Sequence, residues 1–157
     1  MLSDKDKVSD NAHLQLEDLA QRRAEVYLTE QFQALMDEAT ANIEQIEPED
    51  LYVLDDKLLL IDVREPEEFS SGYINAHHHL TIPRGKLEFA AIKKIAKDFG
   101  HDARIVTYCY KGPRGALAAC QLKKMGFENV QNLNGGLLNW LSCGNTIKSY
   151  LGELKLA

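Results

Sequence analysis

Cys109 is followed by Tyr110, Lys111, Gly112, Pro113, Arg114 and Gly115, so a thiol, two cations and two glycines fall within seven residues. The apolar run Arg104 to Tyr108 before it reads as a strand, and Ala116 to Met125 after it favour a helix. A thiol so placed stands at the C-terminal end of a strand, where open parallel sheets bind their ligands. Loop amides and the positive end of the next helix stabilise an anion there, and a thiolate is such an anion. Helix termini and nearby cations are also the usual means of lowering a thiol's pKa. The pattern points to a nucleophilic Cys109 in an anion cradle. Tyr110, Lys111, Gly112, Arg114 and Gly115 are the candidate substrate-binding residues, with Tyr110 bordering the entrance. The guanidinium fork of Arg114 is expected to contribute more than the flexible ammonium of Lys111. The plainer alternative is a buried core cysteine, a common state for this residue type. Cys120 and Cys143 lack comparable surroundings and are read as structural.

Two further segments flank the loop at characteristic separations. Upstream stand Asp62, Val63, Arg64, Glu65, Pro66, Glu67, Glu68 and Phe69; downstream stand Leu133, Asn134, Gly135, Gly136, Leu137 and Trp140. With the cysteine loop, these resemble the rhodanese-like sulfurtransferase family over residues 43–145. The resemblance implies a three-layer α/β fold and a thiosulfate sulfurtransferase-like activity without a cofactor. Sulfane sulfur from a small anionic donor such as thiosulfate would pass to a thiol or protein acceptor through a Cys109 persulfide, in two ping-pong steps. Only Tyr110 to Pro113 separate Cys109 from Arg114. Cysteine-dependent phosphatases and arsenate reductases use a longer loop, which weakens that reading. A binding module of the same fold is the other alternative. Two departures stand out: Pro113 removes an amide donor from the cradle, and Gly115 replaces a hydroxyl residue frequent in the family.

The elements that must position the loop follow from the remaining pattern. Asn42 to Ile46, Leu58 to Asp62, His79 to Ile82, Arg104 to Tyr108 and Val130 to Leu133 read as strands. Helical stretches alternate with them, including proline-led starts at Glu47 and Glu65 and the spacing Leu87, Ala91, Ile95, Phe99. Such alternation implies about five mainly parallel strands with helices on both faces. Residues 1–42 form a helical extension, polar and frayed over 1–12. Its stripe of Leu16, Leu19, Val26, Phe32, Leu35, Met36 and Ala39 is expected to pack on the chain's own domain; a homodimer surface is the less favoured alternative. Residues 146–157 are a tail whose Tyr150, Leu151, Leu154 and Leu156 suggest an amphipathic turn.

Asp62 and Arg64 fall at a strand's C-terminal end beside the site. A structural role is expected, an ion pair of Arg64 with Glu67 or Glu68 holding the following loop, and substrate contact is the alternative. His77, His78 and His79 invite a metal reading, which is set aside because consecutive residues of regular structure point to different sides and no ligand pair accompanies them. The formal net charge of -6 excludes generic binding to nucleic-acid backbones. No stretch suits a membrane span or secretory signal. Three cysteines without CxxC spacing fit a reducing compartment, the cytoplasm.

Overall fold

Leu58–Asp62 forms strand β2, and all five residues are buried. An unbroken apolar run is what a strand covered on both faces requires. Its side chains alternate between two cores, as a period of two dictates. Leu59 and Ile61 meet Leu87, Ala91, Ile95, Ala118, Ala119 and Leu122 on one face. Leu58 and Leu60 meet Ile74, Leu137, Trp140 and Ile147 on the other.

The computed structural model describes residues 4–23 and 29–156. Helices α1 (Asp4–Arg23) and α2 (Thr29–Asn42) precede β1 (Glu44–Ile46), and α3 (Pro66–Ser71) and β3 (His79–Thr81) follow β2. Then come α4 (Leu87–Ala90), a π-helical stretch (Ala91–Ala96), α5 (Lys97–Phe99), β4 (Arg104–Tyr108), α6 (Pro113–Lys124), β5 (Val130–Leu133) and α7 (Gly136–Ser142). The five strands form one sheet in the order β1-β5-β4-β2-β3. Every pairing in it is parallel. Helices cover both faces, as the alternating sequence implies.

The structure also corrects several expectations. The start at Glu47 yields only a 3-10 turn, Pro48–Asp50. The positions Leu87, Ala91 and Ile95 are fully buried although they recur every fourth residue. An α-helix would rotate that stripe by about 40° at each step. The π-helical stretch has more residues per turn and keeps the stripe on the sheet.

The tail is a hairpin, not an amphipathic turn. Strand β6 (Ile147–Ser149) pairs antiparallel with β7 (Gly152–Leu154). Tyr150 and Leu151 are exposed at its tip, and Gly152 takes φ 103°, which ends any helix there. The hairpin is bound to the domain: Tyr73 N donates to Lys148 O at 2.9 Å, and Lys148 N donates to Tyr73 O at 2.8 Å.

Residues 1–37 and 38–157 are separate compact units. The boundary thus falls inside α2, not after residue 42. Ala39 is buried and Ile43 packs on the core. Glu38 forms an ion pair with Lys124. In the first unit α1 already covers Asp4 onward, where fraying was expected. Its Leu16 and Leu19, and Phe32 and Leu35 of α2, are exposed; Val26 lies outside the described residues.

Candidate active site

Cys109 follows β4, as the sequence implies, with its side chain drawn into the core beneath α6 and only 1% exposed. The Gly112 amide donates to Cys109 Sγ at 3.1 Å. Gly112 reaches this position with φ 122°, in the region that favours glycine. It is also the residue before α6, so Pro113 becomes the first helical position. An amide there would lack an intrahelical partner, so the proline's missing N–H costs the helix nothing.

A buried polar network that sequence reasoning missed fixes the loop from below. Thr107 and Asn132 are both fully buried. Thr107 Oγ1 donates to Gly115 O at 2.8 Å and lies 3.2 Å from Asn132 Oδ1. Asn132 Nδ2 donates to Gly112 O at 3.2 Å and to Gln45 Oε1 at 3.0 Å. This network explains Gly115: a Cβ there would collide with Asn132 Oδ1 and lie 3.2 Å from Tyr108 Cα. The signal was present as a threonine and an asparagine inside strand segments, because polar residues buried there must find partners.

Helix α7 holds the loop from the side. Leu137 N donates to Cys109 O at 2.9 Å, and Leu138 N donates to Tyr110 O at 3.0 Å. This approach needs Gly136, because a Cβ there would stand 2.7 Å from the Tyr110 carbonyl carbon. Trp140 is buried, with its ring N–H donating to Thr146 O at 2.9 Å, and so anchors α7.

The charged groups pair differently from expectation. Arg64 is buried and meets Asp62, with Nη2 to Oδ2 at 2.7 Å and Nε to Oδ1 at 3.0 Å. Its remaining donors reach the backbone oxygens of Gly72 at 2.7 Å and Glu68 at 3.3 Å. Burial works against the Arg64 charge, but the hydrogen bonds and charge of Asp62 hold its pKa above the usual value. Burial, then the charge of Asp62, pushes the neighbouring Tyr108 hydroxyl far above its ordinary range. That hydroxyl accepts a hydrogen bond from Ile74 N at 3.1 Å. Arg64 therefore pairs with Asp62, and neither the Glu67 nor the Glu68 carboxylate is its partner.

The Glu68 carboxylate instead binds Arg114, with Nη1 to Oε1 at 2.6 Å and Nη2 to Oε2 at 2.9 Å. Hydrogen bonding to Arg114 holds the Glu68 carboxyl below the usual carboxylate range. The reciprocal bond raises Arg114, and the Cys109 sulfur adds a smaller electrostatic contribution in the same direction. Arg114 is therefore already paired, whereas Lys111 is exposed and has no ion pair among the described residues. Tyr110, Glu68, Gly72, Leu137, Leu141 and Ile147 line a cavity of about 330 Å³ beside the loop.

Cys120 is buried on α6. Cys143 is exposed, and hydrogen bonding to Glu49 pushes its thiol pKa up, away from nucleophilic character. Among the described residues no helix is long and apolar enough to cross a membrane.

This combination, a parallel five-stranded sheet with a cysteine loop after its central strand β4, defines a rhodanese-type α/β domain. The sequence pattern of the rhodanese-like domain family matches residues 47–143, and the chain belongs to that family. It is 36% identical over 94 residues to "Putative thiosulfate sulfurtransferase, mitochondrial" of Schizosaccharomyces pombe, a match covering 55% of this chain and 65% of that protein. It is 32% identical over 85 residues to a thiosulfate sulfurtransferase of Stutzerimonas stutzeri, covering 52% of this chain and 69% of that one. Among solved structures, the polysulfide-sulfur transferase homodimer of Wolinella succinogenes is 28% identical with a TM-score of 0.64, covering 86% of this chain and 94% of that chain. The chain thus spans just under two thirds of the length of the fission-yeast relative.

Proposed function

We propose that this chain is a sulfurtransferase that moves sulfane sulfur from an anionic donor such as thiosulfate to a thiol or protein acceptor through a Cys109 persulfide. In the first step the Cys109 thiolate attacks the outer sulfur of thiosulfate. A Cys109 S–S bond forms, the donor's S–S bond breaks, and sulfite departs with the electron pair. In the second step an acceptor thiolate attacks the terminal persulfide sulfur, and Cys109 leaves as thiolate. The observation that carries this reading is the Gly112 amide directed at Cys109 Sγ at 3.1 Å. An N–H donor so placed stabilises negative charge that develops on the sulfur during transfer.

Lys111 is the cation open to an incoming donor anion, and Arg114 adds charge from within its pair with Glu68. The free state of all three cysteines suits a reducing compartment such as the cytoplasm. The test is intact mass after incubation with thiosulfate. One added sulfur atom, about 32 Da, reversible by cyanide and absent in Cys109→Ser, is expected. No gain in mass, or an equal gain in Cys109→Ser, overturns the assignment.

A further inference from the structure

The three consecutive histidines do not behave as regular strand residues. His77 and His78 lie in a bend, and β3 begins only at His79. Their rings are stacked nearly parallel, 4.8 Å between centroids with an interplanar angle of 4°. Both turn toward Asp56: His77 Nδ1 contacts its Oδ1, and His78 Nε2 lies 3.8 Å from the same oxygen. His79 is directed elsewhere, its Nδ1 3.0 Å from Ala76 O and its ring against Tyr73. The ligand partner not apparent in the sequence is therefore Asp56, from the turn that precedes β2.

We propose that Asp56, His77 and His78 form an exchangeable binding site for a divalent transition cation of the zinc class. One carboxylate and two imidazoles are hard-to-borderline ligands that suit such ions. Their three ligand atoms lie within 4.8 Å of one another. Ligands of one zinc ion at its usual bond lengths stand about 3.4 Å apart. Rotation of exposed side chains closes the difference.

The backbones that carry them are already fixed. His77 N donates to Val53 O at 2.8 Å, and Leu60 N donates to His78 O at 3.0 Å. The turn bearing Asp56 is closed by Asp55 N to Tyr52 O and by Leu58 N to Asp55 O, both at 3.2 Å. Only side-chain freedom is therefore lost on binding, which lowers the cost of assembling the site. An adjoining cavity of about 610 Å³ has Asp55, Asp56, Asp98 and Asp102 in its wall against Lys57 and Arg104. This excess of negative charge favours a cation, and the open space admits the waters that complete its coordination.

The site lies before β3, whereas Cys109 follows β4 of the same parallel sheet. The two are at opposite ends of the parallel strands, so the cation neither meets the thiolate nor takes part in sulfur transfer. When bound it ties the turn before β2 to the segment before β3.

The full chain titrated with zinc chloride, followed by calorimetry and by histidine side-chain NMR, tests the site. One equivalent is expected to bind, shifting the imidazole signals of His77 and His78 and leaving those of His13, His79 and His101 in place. Asp56→Asn, His77→Ala and His78→Ala should each weaken binding at least about tenfold, and His79→Ala less than about twofold. No binding at about 1 mM zinc overturns the proposal. So does unchanged affinity in the His77→Ala/His78→Ala double variant, which would assign the ion to a thiol. The NMR arm uses the unaltered chain and decides the matter even if a variant folds poorly.

Discussion

Both carboxylate oxygens of Glu68 hold the guanidinium of Arg114, at 2.6 and 2.9 Å, joining α3 to the first turn of α6. An anionic donor must therefore compete with a carboxylate already in place for this cation. Glu68→Gln removes the competitor's charge and should lower the thiosulfate KM about three- to tenfold. Because the pair is partly exposed, the stability cost should stay within about 1 kcal/mol. A rise in KM would show instead that Glu68 aims Arg114 at the donor.

The same pair sets a pH dependence. The Glu68 carboxyl is depressed, so the pair is complete above the ordinary glutamate range and is lost as pH falls through the folded value. The Glu68-linked part of KM should thus be flat from neutral pH down to about pH 4.5 and change only below it. Comparing KM profiles of the native chain and Glu68→Gln checks this. A difference between the profiles that titrates near neutrality contradicts it.

Lys111→Ala should raise the thiosulfate KM about fivefold at low salt, with the difference shrinking as ionic strength screens an exposed charge. Arg114→Ala removes charge and charge-assisted hydrogen bonds worth roughly 1.5–3 kcal/mol, so kcat/KM should fall about ten- to hundredfold. Steady-state kinetics across a salt series separates the two. A salt-independent Lys111 effect would mean direct contact with the donor.

Gly115→Ala forces a Cβ against Asn132 Oδ1 and should destabilise the domain by about 1–3 kcal/mol. Asn132→Ala removes the obstacle but strands buried polar groups, at a similar cost of about 1–3 kcal/mol. Since the clash requires both residues, the double variant should be more stable than the sum of the single losses predicts. Urea unfolding of the four proteins in this cycle measures the coupling. Strict additivity would place the Gly115 constraint elsewhere.

A chain beginning at residue 38 should fold and carry sulfur, because the second compact unit starts at Glu38. Removing residues through 43 should destabilise it, since Ala39 is buried and Ile43 packs on the core. Circular dichroism and persulfide formation of the two truncations test this. Equal stability would detach the end of α2 from the fold.

The sequence alone determined the parallel sheet, the place of Cys109 and the order of its supporting elements. Those properties depend on local periodicity: Leu58 to Asp62 must be covered on both faces, and a thiol between a strand and a helix must sit at a strand end. Pairings between distant residues carry no such local trace. Nothing along the chain says that Glu68 takes Arg114 while Asp62 takes Arg64, because four charges in one region admit several partitions. Gly115 looked like a lost hydroxyl until Asn132, 17 positions later, filled the space. The tail suggested an amphipathic turn, yet antiparallel pairing of Ile147–Ser149 with Gly152–Leu154 made it a hairpin. Asp56 met His77 and His78 only because parallel pairing of β2 with β3 brings the starts of two strands side by side. Local sequence sets what each segment can be; the partners of its polar groups are chosen when burial forces every such group to find one.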